Sequence, residues 1–396
     1  MAEELGQNYE NTMIEKYKNQ ITNQELHLAS NPFQSIKFVE KLDVTSLSFY
    51  NCLPLVFDTY LSKVKQLDIN CCIISETSSI QKMIQLIHLS LTSISQQCPL
   101  INIHFVSNLV NLSYLNLSNN KINNISAIKQ LTNLQILELW HNQISDITPL
   151  AKLTLLTELI LGENKISDIS SLNQLSKLQK CDLQSNNLDD IAVFKNWTSI
   201  QVLELGRNYI KDISVFNRCQ NHNKLKILQL SGNILTDISP IRMLKSLEDL
   251  DISVNSVISI QDLSLLSNLV KLDVNNCLII DISVLNGLNN LTQLNVENNC
   301  ISDLQLHNMN QFDQYLISDQ RQPTHEQILF ASKLKCISTQ NQAIESIRVN
   351  GHQMNQTIQK HKLQVNKVLT VAVQNQYCFM NHIVQLLNQV KVEVLQ

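Results

Sequence analysis

Glycine and proline are scarce in this chain, six of each among 396 residues. The glycines (Gly6, Gly162, Gly206, Gly232, Gly287, Gly351) form no G-x-G-x-x-G or G-K-[ST] run, so phosphate-cradling loops have nowhere to occur. An excess of positive charge is also lacking. The 30 Lys and Arg against 34 Asp and Glu leave a formal net charge of −4, which argues against a nucleic-acid ligand held by the usual electrostatics. No apolar stretch approaches the roughly 20 residues that cross a bilayer, so no membrane partner is expected. The acidic opening Met1-Ala-Glu-Glu-Leu-Gly6 has no apolar run behind it and does not read as a secretory signal. The ten cysteines are scattered, with no paired spacing at the ends of the chain's repeats, which reads as reduced thiols in the cytoplasm or nucleus.

What the chain has in excess is side-chain amide, with 46 Asn and 37 Gln. Six N-x-[ST] sequons, at Asn111, Asn116, Asn124, Asn196, Asn290 and Asn355, are what chance yields at this composition. The asparagines are better explained by a repeat with an obligatory amide position. From residue 112 the pattern L-x-x-L-x-L-x-x-N-x-I-x-x-I recurs, its first position falling at Leu112, Leu134, Leu156, Leu178, Ile200, Leu225, Leu247, Leu269 and Leu291. The period is 22 residues except between Ile200 and Leu225, where three extra residues enter at Arg218–Asn223.

The two leucines of L-x-L alternate with exposed residues and therefore share one side of a short strand. The Asn at 120, 142, 164, 186, 208, 233, 255 and 299 follows the strand, where its amide can both donate to and accept from backbone groups that a bend leaves unpaired. Cys277 replaces it once. Stacked copies would build an asparagine ladder. A hydroxyl residue follows the last Ile, and Thr148-Pro149 and Ser239-Pro240 read as a capping hydroxyl before a proline at the first helical position. Each unit is thus a short strand, a bend and a helical turn, with 3₁₀ or one to two α-turns expected in so short a period. A single unit cannot bury its apolar face, so the copies must stack.

These residues resemble the short, 22-residue class of leucine-rich repeats, as found in the leucine-rich regulatory subunit of protein phosphatase 1 and in bacterial internalins. Leu203-Glu-Leu-Gly-Arg-Asn-Tyr-Ile210 and the recurrent Asp-Ile-Ser are similar to both. The resemblance implies an α/β repeat fold, a right-handed leucine-rich-repeat solenoid or horseshoe with a parallel β-sheet on its concave face and helical caps at both ends. It implies non-catalytic protein binding, with regulation of a phosphatase as the sharper form. An internalin-like adhesive module is one alternative, and a scaffold that oligomerises through its C-terminal helices is another.

The expected organisation has four parts. Residues 1–36 form an N-terminal helical cap, because Tyr9, Met13, Tyr17 and Ile21 recur every four residues. Residues 37–108 hold degenerate repeats, traced by Leu42, Val44, Val64, Leu67, Ile69, Leu86, Leu89 and Leu91. Residues 109–311 are the regular array. Residues 312–396 are a C-terminal helical region, with a helix start at Pro323-Thr324-His-Glu-Gln327.

No catalytic arrangement presents itself, and neither a metal nor any other cofactor is expected. Cys219 and His222 in the insertion fall short of the three or four converging ligands a metal needs. The tail residues Cys336, Cys378, His352, His361 and His382 form no recognisable motif. Information concentrates instead on the concave face, where the strand positions between the leucines point outward. Those columns contain nine acids against three bases, the acids being Glu138, Glu158, Glu163, Asp182, Glu204, Asp249, Asp251, Asp273 and Glu297. Trp140 is the single tryptophan there and has the character of an exposed anchor. The candidate protein-binding residues are Tyr114, Glu138, Trp140, His141, Glu163, Asp182, Glu204, Arg207, Asp251, Asp273 and Glu297. A protein partner with a basic patch would be steered to this face. Oligomeric state and partner identity are not legible.

Overall fold

The structure is a computed structural model that describes residues 2–30, 35–52, 55–72, 74, 77–92, 99–218, 224–301 and 314–316. The chain divides into two compact units, Met1–Arg321 and Gln322–Gln396, and all described residues belong to the first. The expected C-terminal helices and Cys219 and His222 of the insertion lie outside the described residues.

Helix α1 (Ala2–Tyr17) is followed by one parallel sheet of 14 strands in sequence order. Four strands have five residues: β1 (Glu25–Ala29), β2 (Ser46–Tyr50), β3 (Gln66–Asn70) and β4 (His88–Thr92). The other ten have three: β5 (Tyr114–Asn116), β6 (Ile136–Glu138), β7 (Glu158–Ile160), β8 (Lys180–Asp182), β9 (Val202–Glu204), β10 (Ile227–Gln229), β11 (Asp249–Asp251), β12 (Lys271–Asp273), β13 (Gln293–Asn295) and β14 (Gln314–Leu316). Strict sequence order with parallel pairing requires every chain return to pass on one side of the sheet, which makes the fold a right-handed solenoid.

The leucine pattern builds the interior directly. In the repeat beginning at Leu134, the side chains of Leu134, Leu137, Leu139, Ile144, Ile147, Leu150 and Leu153 are all buried. Truncating any of these leucines would cost about 2–5 kcal/mol. Trp197 is wholly buried too, its indole N–H donating to the Leu172 carbonyl at 3.1 Å, so the chain's second tryptophan is a core residue.

The asparagine ladder forms as the repeat spacing requires. Asn142 Nδ2 donates to the carbonyl of Leu117 in the preceding repeat (3.0 Å) and to that of Leu139 in its own (3.1 Å). Its Oδ1 accepts from the Ile122 N–H at 3.0 Å. The same bonds recur 22 residues on at Asn164 and again at Asn186. Each amide thereby satisfies two buried carbonyls and one buried N–H. At the substituted rung, the Cys277 thiol donates to the Ile252 carbonyl at 3.4 Å and accepts from the Val257 N–H, keeping the links to the previous repeat with one donor fewer. Burial pushes this thiol up to about 12. Two further cysteine rungs exist upstream: the Cys52 N–H donates to Cys72 Sγ at 3.3 Å. The residue before each rung takes left-handed backbone, with φ of 55° at His141, 54° at Glu163 and 56° at Arg207. Only Gly232 among these positions in the regular repeats is a glycine.

The return segments are 3₁₀ turns, five residues long in most repeats, for example Thr148–Lys152 and Ser170–Gln174. The expected hydroxyl caps do not form. Ile147 and Ile238 occupy the cap position without a side-chain bond. The acceptor is instead the aspartate two residues before the turn: Asp146 Oδ1 takes the Thr148 N–H at 2.9 Å, and Asp237 takes that of Ser239 at 2.8 Å. A short carboxylate at that spacing reaches the N–H that the turn leaves free, which is the physical basis of the recurrent Asp-Ile-Ser.

At the N-terminus, α1 packs Tyr17 against Phe38 with ring centroids 5.8 Å apart, and Lys41 pairs with Glu10 at 2.9 Å. The sheet begins earlier than the leucine pattern indicates. β1 lies inside segment 1–36, because Leu26 and Leu28 alternate with exposed neighbours and pair in register with Leu47 and Phe49. The helical part of that segment ends at Gln20.

Candidate functional site

Register places the outward strand positions in straight columns. One column runs Asn116, Glu138, Ile160, Asp182, Glu204, Gln229, Asp251, Asp273 and Asn295, each directly opposite the next. A second runs Tyr114, Ile136, Glu158, Lys180, Val202, Ile227, Asp249, Lys271 and Gln293. The first column therefore contains two like-charge couples on neighbouring strands, Asp182 with Glu204 and Asp251 with Asp273. Like charges directly opposite in a sheet are unfavourable.

Asp182 is only 5 % exposed. Its Oδ1 accepts from the Gln184 N–H at 2.9 Å and its Oδ2 from Gln184 Nε2 at 3.2 Å, both neutral donors. Burial, with the Glu163 charge adding to it, raises the Asp182 carboxyl above its ordinary value. Burial and Asp182 raise that of Glu204, and burial and Asp251 raise that of Asp273. Lys180 lies near enough to favour the charged forms of Asp182 and Glu204 but makes no ion pair with either among the described residues. Lys271 is taken up by Asp249 at 3.1 Å.

The bond from Asp182 to its own strand has close parallels. Asp251 accepts from the Ser253 N–H (2.9 Å), Asp273 from that of Asn275 (3.0 Å), Asn116 from that of Ser118 (2.9 Å) and Asn295 from that of Glu297 (3.2 Å). Asparagine serves as well as aspartate there. The backbone needs an acceptor at this column but not a negative charge.

Upstream of the couples lies an aromatic cluster. Tyr114 donates to Glu138 at 3.0 Å, and Asn116 Nδ2 donates to the same carboxylate at 2.9 Å. Burial and the adjacent Glu138 push the Tyr114 hydroxyl up to about 12. His88 stacks on Tyr114 with centroids 4.1 Å apart and lies 2.8 Å from Asp68. The His141 ring sits 5.4 Å from that of Trp140 and its Nδ1 is 2.7 Å from Glu163. Trp140 is partly buried rather than free, because Gly162 on the next repeat leaves room for its indole: a side chain there would meet Trp140 Cδ1 at 2.8 Å and Asp182 Oδ1 at 2.9 Å.

The structure thus brings Tyr114 to Glu138, His141 to Glu163, Trp140 towards Asp182, and Asp182 to Glu204. Asp251 and Asp273 form a second centre three strands away. Arg207 projects from the strand end as an exposed side chain, and Glu297 lies at the far end of the array, so neither joins these groups. Sequence reasoning missed Asp68 and His88, which extend the surface into the degenerate repeats, and Gly162, whose bare backbone seats the tryptophan. The alternations in Gln66-Leu-Asp-Ile-Asn70 and His88-Leu-Ser-Leu-Thr92 are the available signals for the first two. Among the described residues no group of three or more His, Cys, Asp or Glu is placed to hold a metal.

The family model described as Leucine Rich repeats (2 copies) matches residues 110–152. The chain folds as a leucine-rich repeat protein. An internalin of Listeria monocytogenes (inlF) is similar at 26% identity, over 75% of this chain and 87% of that one, with a TM-score of 0.61. A leucine-rich repeat protein of Leptospira interrogans (LIC12759) is similar in fold at 24% identity, over 72% and 81%, with a TM-score of 0.60. TLR13, in its complex with a single-stranded RNA, shares the fold at 19% identity, over 77% and 51%, with a TM-score of 0.54. That neighbour holds RNA, so the fold gives no ground for ruling nucleic acid out, and the expectation against it rests on net charge alone. No curated relative matches the sequence. No catalytic family is indicated by the matching family or the structural neighbours.

Proposed function

We propose that the protein is a non-catalytic binding module that receives a protein partner on the concave face, between the aromatic cluster at Tyr114, Glu138, Trp140 and His141 and the acidic couples of β8, β9, β11 and β12. The observation that carries this reading is the choice of aspartate at 182, 251 and 273. Asn116 and Asn295 make the same backbone bond without charge, so folding supplies no reason for three carboxylates there, all of them in like-charge couples and two of them, Asp182 and Asp273, raised by burial. A basic patch on a partner would supply one, by relieving the repulsion and replacing the lost hydration. Leucine-rich repeats generally serve as protein-interaction surfaces, and that general role fits a face with these properties.

In its sharper form the proposal makes the protein a regulatory subunit of a phosphatase-like enzyme in the cytoplasm or nucleus, supported by the resemblance of its repeats and by its scattered cysteines. The internalin at 26% identity favours a second reading, an adhesive module using the same face. Affinity capture from the source cell tests the shared core of both readings. A partner bound by wild type and lost by Trp140→Ala combined with Glu204→Lys is the expected result, whereas a partner retained by the folded double variant overturns the concave-face reading.

A further inference from the structure

We propose that the edge of the concave face where β9 to β12 end, built on Tyr209, Ile234, Val254 and Leu278, docks an amphipathic helix of the partner whose apolar stripe is flanked by lysine or arginine. The inference rests on the concave-face reading and specifies which kind of segment binds there. Its first observation is backbone strain with no burial to offset it. Val254 has a φ of 53°, in the left-handed region where a β-branched side chain is crowded by its own backbone. The other regular repeats place Asn119, Asn276, Asn298, Gly232 or another residue that is not β-branched at this position. Val254 is nevertheless 44 % exposed. A strained apolar residue left in water points to a contact outside the fold. The second observation is independent of the backbone. Two residues further on, the first repeats are polar, with Lys121, Gln143, Lys165 and Asn187. The same row then continues as Tyr209, Ile234, Ser256 and Leu278. Tyr209 is 53 % exposed, and Ile234 and Leu278 are half-buried, so an apolar surface opens on the second half of the array alone.

The backbone of this row selects a helix over an added strand. The N–H groups of Tyr209, Ile234, Ser256 and Leu278 donate to Leu188, Ile210, Leu235 and Val257 of the preceding repeats, and that of Val254 donates to Asn275. None of these donors remains for a partner's main chain, and a helix pairs its own. From Tyr209 to Leu278 is three strand spacings, about 14 Å at roughly 4.8 Å per strand, which about nine residues of helix span at 1.5 Å each. Charge fixes the flank of the helix. Asp251 and Asp273, on the strands that lead into Val254 and Leu278, form a like-charge couple. They accept from the Ser253 N–H, the Asn275 N–H and Asn295 Nδ2, all neutral donors. The nearby Lys271 is held by Asp249. A lysine or arginine beside the apolar stripe would therefore meet both carboxylates while the stripe covers Val254 and Leu278. Arg207 and Lys211 stand on either side of Tyr209 in the chain, so the basic flank belongs over β11 and β12 and not over β9.

Calorimetric titration with the helical peptide acetyl-Lys-Leu-Ala-Lys-Leu-Leu-Ala-Lys-Leu-Ala-Lys-Leu-Leu-Ala-amide tests the assignment. One counterpart carries Glu for every Lys, and another carries Gln for every Leu. The full chain is used as wild type, Val254→Asn, Val254→Asn/Tyr209→Asn and Asp251→Asn/Asp273→Asn, each checked for native circular dichroism and thermal midpoint. The Lys-Leu peptide is expected to bind wild type at least tenfold tighter than either counterpart. Val254→Asn/Tyr209→Asn is expected to weaken it about tenfold, and Asp251→Asn/Asp273→Asn several-fold. Val254→Asn alone is expected to keep or raise the thermal midpoint, because asparagine accepts left-handed backbone more readily than valine. Binding of the Lys-Leu peptide no tighter than that of either counterpart, or unchanged in Val254→Asn/Tyr209→Asn, overturns the proposal. A lower thermal midpoint in Val254→Asn also overturns it, since the valine would then serve the framework. Should the captured partner still be lost from the Trp140→Ala/Glu204→Lys variant in any of these cases, the concave-face reading stands and only the docking edge is wrong.

Discussion

Aspartate occupies two rows of this solenoid, and the two rows obey opposite electrostatics. On the return side, Asp146 and Asp168 stand in water and accept the first N–H of a 3₁₀ turn, which holds their carboxyls below the ordinary value. On the concave side, Asp182 and Asp273 accept the same kind of backbone N–H two residues on, yet burial raises both. The bond is alike and the surroundings differ: solvent in one row, a half-closed sheet face with a like charge on the next strand in the other. A charge on the return row thus follows from the local fold. A charge at Asp182 or Asp273 opposes the fold, a cost that the proposed partner would relieve.

The largest effect is expected between these rows, in the ladder, where neither kind of charge is tolerated. Asn164 donates to two buried carbonyls and accepts from one buried N–H. Asn164→Asp would face those carbonyls with a carboxylate, and a loss of about 3 kcal/mol or more in urea denaturation is expected. Next in size is the concave row. Asp182→Asn together with Glu204→Gln removes a like-charge couple and should raise stability at pH 7 by roughly 0.5–1 kcal/mol while abolishing partner binding. Smallest is the return row. Asp168→Asn keeps an acceptor for the Ser170 N–H and loses only a solvent-screened charge, so a loss below about 0.5 kcal/mol is expected. The pH dependences have opposite signs. The contribution of Asp168, whose carboxyl is lowered on folding, is complete above the ordinary aspartate value and disappears as pH falls through the folded one. The cost at Asp182 is complete above its raised folded value and is relieved as pH falls through it towards the ordinary one.

The fold was legible because its physics is periodic. The leucine spacing locates β5 to β13, and the asparagine positions locate the ladder, since each repeat solves the same burial and backbone-pairing problem. Where the repeats degenerate, legibility declined. β1 falls in the segment expected as a helical cap because the copy at Leu26, Leu28 and Asn31 lacks the leading apolar residue, with Asn23 in its place. The turn caps are expected at the hydroxyl residue that ends the Asp-Ile-Ser triplet and form at the aspartate two residues earlier, since Ser and Asp are both competent acceptors and only geometry decides between them. On the candidate face, the acidic columns follow from register. The seating of Trp140 does not, because it depends on a missing Cβ at Gly162, one repeat away. Nor does the difference between a satisfied and a surplus carboxylate, which requires knowing that Asn116 and Asn295 make the bond of Asp182 without its charge.

Urea denaturation of wild type and of Asp182→Asn/Glu204→Gln, followed from pH 7 down to pH 3, tests most directly that the concave carboxylates are held against the interest of the fold. The double variant is expected to be the more stable protein at pH 7, with the difference closing as pH falls through the raised carboxyl values and the wild-type couple becomes neutral. A variant less stable than wild type at pH 7, or a gain that persists unchanged at pH 3, would contradict the account and make these acids part of the framework.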